Sequence, residues 1–293
     1  YVESFETADG SNFDWEQYGP GWSEMTPAQR WVCFLRNEMT DSEIGQMSSY
    51  GSDMSKYEKY TNESRIKAAY DNRDPRLKMS IITPYSTYLG GISGTAYTFT
   101  LRWPYRADTK EPRDIRTDTN SMFYYLWRKY VPEGLENTIR WVYEQDNILC
   151  RYAEILLRRA ECENELGNTA EAVRLVNMVR GRAGHILLNT NEHTTVAGQE
   201  DMRERIRNEF YWELGGEDSM YFNELRWGVW LDRKFRDRSS GQWGEMNTNG
   251  LMQIWGTKTY TWYALGDYVE AWPIPAKERE MNSNLTQNPG WND

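Results

Sequence analysis

Two consecutive stretches of helical periodicity constrain the fold of this 293-residue chain more than any other feature. From about residue 145 onward, apolar residues recur three or four positions apart, which places them on one face of a helix. The face predicted for the first stretch consists of Leu149, Tyr152, Leu156 and Ala160. The face predicted for the second consists of Ala172, Val173, Val176 and Val179. The pattern predicts an αα-hairpin of two amphipathic helices.

Glycine and polar residues define the ends of these two helices. Gly167 is predicted to end the first and Gly184 the second, because glycine readily adopts the left-handed conformation that follows a helix. Asn168, with Glu171 three positions later, resembles a capping box for the second helix. The spacing of the pair is similar to one tetratricopeptide unit, and a lone repeat of this kind cannot bury its own faces.

A third helix is predicted over residues 200–214. Its apolar stripe, at intervals of four, consists of Met202, Ile206, Phe210 and Leu214. Glu209 and Glu213 lie together on the neighbouring face. Because side chains within a turn of each other on one helix commonly pair, Arg205 or Arg207 would be their expected partners.

The chain divides by composition into a loop-rich, aromatic-rich part over residues 1–140 and a helical part over residues 141–293. Glycine, proline, serine, threonine and tyrosine are frequent in the first part, and long periodic stretches are few. There we predict helices around residues 27–38 and 61–70, a strand over 78–83, and a glycine- and aromatic-rich loop or hairpin over 85–105.

The C-terminal segment from Trp272 to Trp291 has the composition of an ordered strap. The two prolines of Trp272-Pro-Ile-Pro275 exclude a helix interior, but the second can begin a short helix. Asn288-Pro-Gly-Trp291 places proline and then glycine at the centre of a four-residue turn, which is typical of type II.

Composition excludes several classes of function. With 34 basic and 44 acidic residues the net charge is −10, which argues against a nucleic-acid partner. The mean hydropathy of −0.84 and the lack of an 18-residue apolar run predict no membrane span. The two histidines, His185 and His193, are too few for a histidine-based metal site, and we expect neither a metal nor a cofactor. Cys33, Cys150 and Cys162 are expected to be free, buried thiols.

The strap resembles the C-terminal signature W-P-I-P-x-x-E-x-x-x-N-x-x-L-x-Q-N-P-G-W of the SusD/RagB family. Other stretches are similar to family elements in the same order. They are Val2-Glu-Ser-Phe5 with Asp9-Gly10, Asn72-Arg-Asp-Pro-Arg76-Leu77, Arg151 to Glu161 with Asn177 to Gly184, and Ile206 to Trp227. The chain departs from the family pattern over Glu217 to Asn223, where the usual glycine, histidine-arginine pair and aspartate are replaced.

The resemblance implies a mainly α fold: a SusD-like scaffold of tetratricopeptide type with long irregular loops and a short β-hairpin. It also implies a lipid-anchored protein at the outer-membrane surface that captures an oligosaccharide and passes it to a TonB-dependent, SusC-like transporter, without doing chemistry. Family members are about twice as long, so the chain is expected to correspond to the C-terminal half and to act with an N-terminal half that carries the anchor.

A glycan site needs exposed aromatic rings for the C–H faces of sugars, and amide, carboxylate or arginine groups for their hydroxyls. The chain has 14 Trp, 20 Tyr and 8 Phe, many of them in the first part. The residues predicted to bind ligand are Trp22, Trp31, Tyr50, Tyr85, Tyr88 and Trp103, with Asn37, Asp53 and Arg102 as polar partners. Trp227, Trp272 and Trp291 lie within the matched signatures and are expected to be structural.

Three other functions are open: peptide capture by the same fold, a glycoside hydrolase accessory or catalytic domain, and a purely structural scaffold. Hydrolysis needs two carboxylates about 5–10 Å apart, a spacing that Glu209 and Glu213 meet crudely. Among 44 acidic residues such pairs arise by chance, so no catalytic residue is expected. Asp71 to Asp74 suggests a cation site, but its arginine and the proline that follows favour a capped turn.

Overall fold

A computed structural model describes residues 1–49, 51–92, 94–106, 109–115, 125–134, 146, 148–217, 219–231 and 267–291. The α-helices of these ranges are α1 (Pro27–Val32), α2 (Asp41–Ser49), α3 (Asn62–Asp71), α4 (Arg76–Ser80), α5 (Tyr152–Glu165), α6 (Thr169–Ala183), α7 (Gln199–Leu214), α8 (Ser219–Arg226) and α9 (Ala276–Met281). The strands are β1 (Ile81–Ile82), β2 (Thr87–Ile92), β3 (Thr95–Thr100), β4 (Arg113–Asp114) and β5 (Leu126–Trp127). The mainly α fold is confirmed.

The predicted helical hairpin is present as α5 and α6, and α7 packs against both helices. The core that they share contains Leu156, Leu157, Ala160, Ala172, Leu175, Val176, Val179, Met202, Ile206, Phe210 and Leu214. All four residues predicted for the stripe of the third helix are among them. Since burying one such aliphatic or aromatic side chain contributes about 1.5–3 kcal/mol, this core is the main source of stability of the three helices.

The predicted face of the first helix was wrong at its N-terminal end. Arg151 is extended, with φ −122° and ψ 156°, and α5 begins only at the next residue. Leu149 therefore lies outside the helix and is 90% exposed, while Tyr152 is 69% exposed. The buried apolar face of the first turns consists instead of Ala153, Leu156 and Leu157, and Ala160 continues it. Leu156 and Ala160 are the two predicted residues that are buried.

The predicted helix ends are confirmed, but the capping box is wrong. Gly167 and Gly184 follow α5 and α6 with φ of +84° and +73°, values that suit glycine. The side chain of Asn168 donates to a Glu163 carboxylate oxygen at 3.0 Å instead of accepting from a helix N–H. The backbone N–H of Glu171 bonds the Asn168 carbonyl at 3.0 Å.

The predicted partners of the two acidic residues in α7 were wrong. Arg205 and Arg207 pair with other acidic residues of α7. Glu209 and Glu213 are buried and both contact Arg76 of α4. Because α4 packs across α7, a charge from a distant part of the chain lies closer to these carboxylates than the arginines of their own helix.

Two elements of the first part differ from their predicted extent. Helix α1 is shorter than predicted and ends at Val32. Residues 78–80 belong to α4, so that only Ile81–Ile82 remains of the predicted strand. The side chain of Asp74 accepts from the backbone N–H of Arg76, two residues further on, at 2.9 Å, a bond typical of a turn and in agreement with the predicted one. The N-cap of α4 itself is Pro75, which makes no side-chain bond.

The predicted hairpin over residues 85–105 is confirmed. Strands β2 and β3 pair antiparallel, with Thr87 opposite Thr100 and Ile92 opposite Thr95. Strand β4 runs parallel to β3, and β1 pairs separately with β5.

Many aromatic residues of the first part form a second core. Its buried aromatic members are Phe5, Trp15, Phe34, Tyr70, Tyr85, Trp103 and Trp212. Trp212 belongs to α7, and its ring stacks on Phe5 with a centroid distance of 6.1 Å. One helix thus contributes to both cores and connects the loop-rich part to the helical part.

Arg73 holds the first residues of the chain against this core. Its guanidinium donates to the carbonyl of Val2 at 2.8 Å and to that of Phe5 at 2.7 and 3.0 Å. It also lies 3.6 Å above the ring of Phe13. Burial lowers the pKa of Arg73 to about 10, which leaves it charged at neutral pH.

The C-terminal strap is ordered as predicted, with α9 after the second proline. The amide of Gln287 bonds both the N–H and the carbonyl of Ile274, at 2.8 and 3.1 Å. Gly290 has φ +89°, and a Cβ there would lie 2.4 Å from Tyr268, so the turn requires glycine. The indole of Trp291 donates to a backbone carbonyl at 2.6 Å, in keeping with a structural role.

The other two signature tryptophans differ in exposure. Trp227 packs against the helical core, and its indole donates to Glu161 at 2.8 Å. Trp272 is largely exposed, although its indole bonds the hydroxyl of Tyr221.

The three cysteines are free thiols as predicted, but only Cys33 is buried, and Cys150 and Cys162 are exposed. Among the described residues, no helix has the length and the apolar character needed to cross a membrane.

Candidate functional site

Three of the predicted ligand-binding residues are buried. Trp31 packs in a small core under α1 and α2. Tyr85 and Trp103 lie in the aromatic core, and the Tyr85 hydroxyl donates to the carbonyl of Phe34 at 2.8 Å. Burial raises the pKa of Tyr85 well above its ordinary value. In this arrangement these side chains support the surface and do not form it.

Three other predicted residues are half-buried, and each of them contacts different neighbours. Trp22 stacks on Trp15, with ring centroids 5.2 Å apart. The Tyr88 hydroxyl donates to a backbone carbonyl at 2.9 Å, and Asp53 accepts from the N–H of Ser55 at 3.0 Å. The remaining predicted aromatic residue, Tyr50, lies outside the described residues.

Asn37 and Arg102, by contrast, come together around Glu63 of α3. One Glu63 oxygen accepts from the backbone N–H of Asn37 at 3.1 Å, and the other accepts from Arg102 Nε at 3.4 Å. The Asn37 side chain accepts from the N–H of Glu63, and Arg102 donates to Asp114 at 2.6 Å. We call these four residues the Glu63 cluster. Burial alone would lower the pKa of Arg102, but Asp114 and Glu63 raise it above its ordinary value.

Two exposed tyrosines flank the Glu63 cluster. Tyr60 is 69% exposed, and its backbone carbonyl accepts from the Asn37 amide at 3.0 Å. Tyr105 is 39% exposed and follows Pro104, whose carbonyl accepts from Arg36 at 3.1 Å. Since Arg36 precedes Asn37 in the chain, both tyrosines lie next to the same turn of backbone.

This arrangement combines the two kinds of group that sugar recognition needs. Exposed phenol rings can cover C–H faces, and the cluster supplies amide, carboxylate and guanidinium groups held in place by one another. Sequence reasoning missed Glu63, Asp114, Tyr60 and Tyr105. Their residue types are common in the chain, and only the fold shows which are exposed and which converge.

The two acidic residues considered for hydrolysis are in a different environment. Glu209 bonds Arg76 at 2.5 Å and Arg180 at 3.1 Å, and Glu213 bonds Arg151 at 2.7 Å. Both are buried. Buried carboxylates that are already bonded to guanidinium groups are typical of structural ion pairs.

Among the described residues, no group of three or more histidine, cysteine or acidic side chains is arranged to hold a metal ion.

Comparison with known proteins gives a consistent result. A profile of the SusD family matches residues 1–291. The SusD-like protein P25 of Formosa agariphila is 31% identical over 159 residues, which are 54% of this chain and 27% of that protein.

Solved structures show a similar fold. A SusD-like protein from Bacteroides fragilis superposes with a TM-score of 0.58 at 21% identity, over 99% of this chain and 46% of that one. The protein BT4246 superposes with a TM-score of 0.54 at 20% identity, over 99% of this chain and 45% of that one. The chain spans less than half the length of these relatives.

Proposed function

The chain belongs to the SusD family, and from this premise we propose that it binds oligosaccharides at the cell surface. In this proposal it is part of a longer, lipid-anchored outer-membrane protein and acts with the N-terminal half that its relatives possess. The bound glycan passes to a TonB-dependent, SusC-like transporter. The chain contributes recognition and performs no reaction.

The observation that carries this proposal is the Glu63 cluster between two exposed tyrosines. A sugar ring lying on Tyr60 or Tyr105 would bring its hydroxyls within reach of Asn37 and Arg102. Arg102 is already oriented by its bonds to the cluster. A donor held in place before binding loses less entropy when the ligand arrives.

The other residues predicted from the sequence have different roles in this proposal, according to how deeply they are buried. Trp22, Tyr88 and Asp53, which are half-buried, can contact only a long or branched glycan. Trp31, Tyr85 and Trp103 support the surface from below. Tyr50 stays a prediction.

A glycan array followed by calorimetry tests the proposal. Tyr60→Ala, Tyr105→Ala and Arg102→Gln should each weaken binding of the oligosaccharide found by about fivefold or more, which corresponds to a loss of about 1 kcal/mol or more of binding free energy. Tyr152→Ala is the matched control, because Tyr152 on α5 is as exposed as Tyr60. Unchanged affinity in all three variants would contradict the assignment of the site to the Glu63 cluster and its two tyrosines.

The same material separates the alternatives. An empty glycan array together with binding in a peptide library would replace the glycan with a peptide. Release of reducing ends from a bound glycan, abolished by Glu213→Gln, would replace binding with hydrolysis. If the array and the library were both empty, a structural scaffold would be the better description.

A further inference from the structure

A cavity of about 580 Å³ opens between α4, α6 and α7, away from the Glu63 cluster. Cavities of about 300–1,000 Å³ are typical of sites for small ligands. Its lining includes the apolar side chains of Met79 and Ile148, and Trp212. It also includes charged side chains from five separate segments: Arg76, Lys129, Arg151, Arg182, and Glu213 with Glu217.

Positive groups outnumber negative ones in this lining, by four to two. Arg76 is held from behind by buried Asp74 and Glu209, at 2.6 and 2.5 Å, so its charge is neutralised inside the protein. Toward the opening, three cations face the two carboxylates of Glu213 and Glu217. The lining of this cavity therefore carries a small excess of positive charge, although the chain as a whole has a net charge of −10.

The three cations differ in how many hydrogen bonds and ion pairs they already make. Arg151 donates to Glu213 and Glu217 at 2.7–3.2 Å, and Lys129 pairs with Glu217 at 2.5 Å. These bonds lower the pKa of Glu217 although burial alone would raise it, so its carboxylate is ionised.

Arg182 has fewer contacts. Among the described residues its guanidinium bonds Glu213 alone, and its side chain is 62% exposed. A guanidinium carries five N–H donors in a planar fork that matches a carboxylate or a sulfate. Arg182 thus presents most of its donors at the mouth of the cavity.

The backbone at the same cavity includes a residue in an uncommon conformation. Tyr130, one of the lining residues, has φ +65°. Residues other than glycine rarely adopt the left-handed region, and those that do are concentrated at ligand sites.

From these observations we propose that the cavity is a second saccharide site, which takes a sugar ring bearing an anionic group, a uronate carboxylate or a sulfate ester. The anionic group bonds Arg182 and lies near Lys129 and Arg151, and the C–H face of the ring packs on Met79 and Ile148. The proposal rests on the proposed function and adds the class of sugar. The two sites would contact separate parts of one glycan.

Calorimetry with short probes tests the cavity by itself. The probes are a galacturonate trisaccharide, a 6-sulfated galactose disaccharide and the neutral galactose disaccharide. We expect an anionic probe to bind at least tenfold more tightly than the neutral one, since hydrogen bonds between charged groups are stronger than neutral ones. Which anionic probe binds identifies the source of the negative charge.

Substitution of Arg182 identifies the residue responsible. Arg182→Gln should weaken the anionic probe about tenfold and leave the neutral probe unchanged. Arg174→Gln is the matched control, because Arg174 is an exposed arginine on the same helix that also pairs with a glutamate. If Arg182→Gln lowers the melting temperature, Arg182→Lys, which keeps the charge but loses the fork, should still show a partial loss.

The outcomes are distinct from those of the first proposal. Equal affinity for neutral and anionic probes, or unchanged affinity in both Arg182 variants, overturns the anionic site. Tyr60→Ala and Tyr105→Ala should not alter binding of these short probes. Unchanged affinity of the tyrosine variants for the oligosaccharide therefore contradicts the proposed function. Unchanged affinity of the Arg182 variants for the anionic probe contradicts this inference alone.

Discussion

Removing the charge of Arg76 should destabilise the protein strongly, because three buried carboxylates depend on it. Its guanidinium bonds Asp74 at 2.6 and 3.0 Å, Glu209 at 2.5 Å and Glu213 at 3.4 Å. Arg76→Met keeps most of the side-chain volume and removes every one of these bonds. Glu209 retains Arg180 as a partner.

Asp74 is the group most affected by Arg76→Met. Burial alone would raise the pKa of Asp74, and Arg76 lowers it below its ordinary value. Without Arg76, the nearest ionisable partner of Asp74 is the ring of His185, at 3.7 Å. Breaking a buried ion pair on one side costs about 3–5 kcal/mol. For a protein of this size that corresponds to a fall in Tm of about 6–20 °C.

Urea denaturation followed by tryptophan fluorescence measures this loss. Arg174→Met is the control, because it removes an exposed arginine from an ion pair without stranding a buried charge, and should leave the midpoint unchanged. Asp74→Asn in the Arg76→Met background should recover part of the stability, since it removes the stranded charge. If Arg76→Met lost no more stability than Arg174→Met, the buried ion pairs would not have the energetic role assigned to them.

Two further predictions concern the backbone and the pH. Gly184→Ala should lower the free energy of unfolding by about 1 kcal/mol through left-handed backbone strain alone, because a Cβ there meets no atom within 4 Å. Gly181→Ala, within α6, should instead raise it by about 0.5–1 kcal/mol. Equal urea midpoints for the two variants would contradict this. The pKa values of Glu6, Asp74 and Glu217 are all lowered by cationic partners against the effect of burial. Their contribution to the free energy of unfolding is therefore complete above pH 4.5, the ordinary value for glutamate, and is lost as the pH falls below it. A pH series of urea midpoints checks this, and Arg76→Met should show a shallower fall; an equally steep fall would contradict the role of Arg76.

The segments that carry the family resemblance are far apart in the chain and meet in one buried network. Glu6, from the first of them, bonds Arg180 at 2.7 Å, and Arg180 bonds Glu209 at 3.1 Å. Glu209 in turn bonds Arg76, whose backbone N–H and guanidinium both donate to Asp74. Asp74, Arg76, Arg180 and Glu209, which come from three of the matched segments, are therefore one another's partners. No local pattern predicted this pairing.

The candidate site shows where reasoning from residue types alone loses information. Asn37 and Arg102 were predicted and do converge, but through Glu63, which was not predicted. Exposed Tyr60 lies beside them, and Tyr85, predicted for the same role, is buried. An aromatic side chain in a loop-rich stretch can serve either a core or a surface, and only packing against distant residues decides between them.

The sequence by itself determined the features that depend on near neighbours: the helical hairpin with its glycine stops, the stripe of α7, the β-hairpin and the proline- and glycine-directed turns of the strap. Its long signatures also determined the family. Those features follow from backbone preferences and from residues a few positions apart. Tertiary structure alone decided which tyrosines are exposed and which carboxylates are buried. It also decided that five segments enclose a cavity with a positive mouth, because these properties depend on contacts between residues that are distant in the chain.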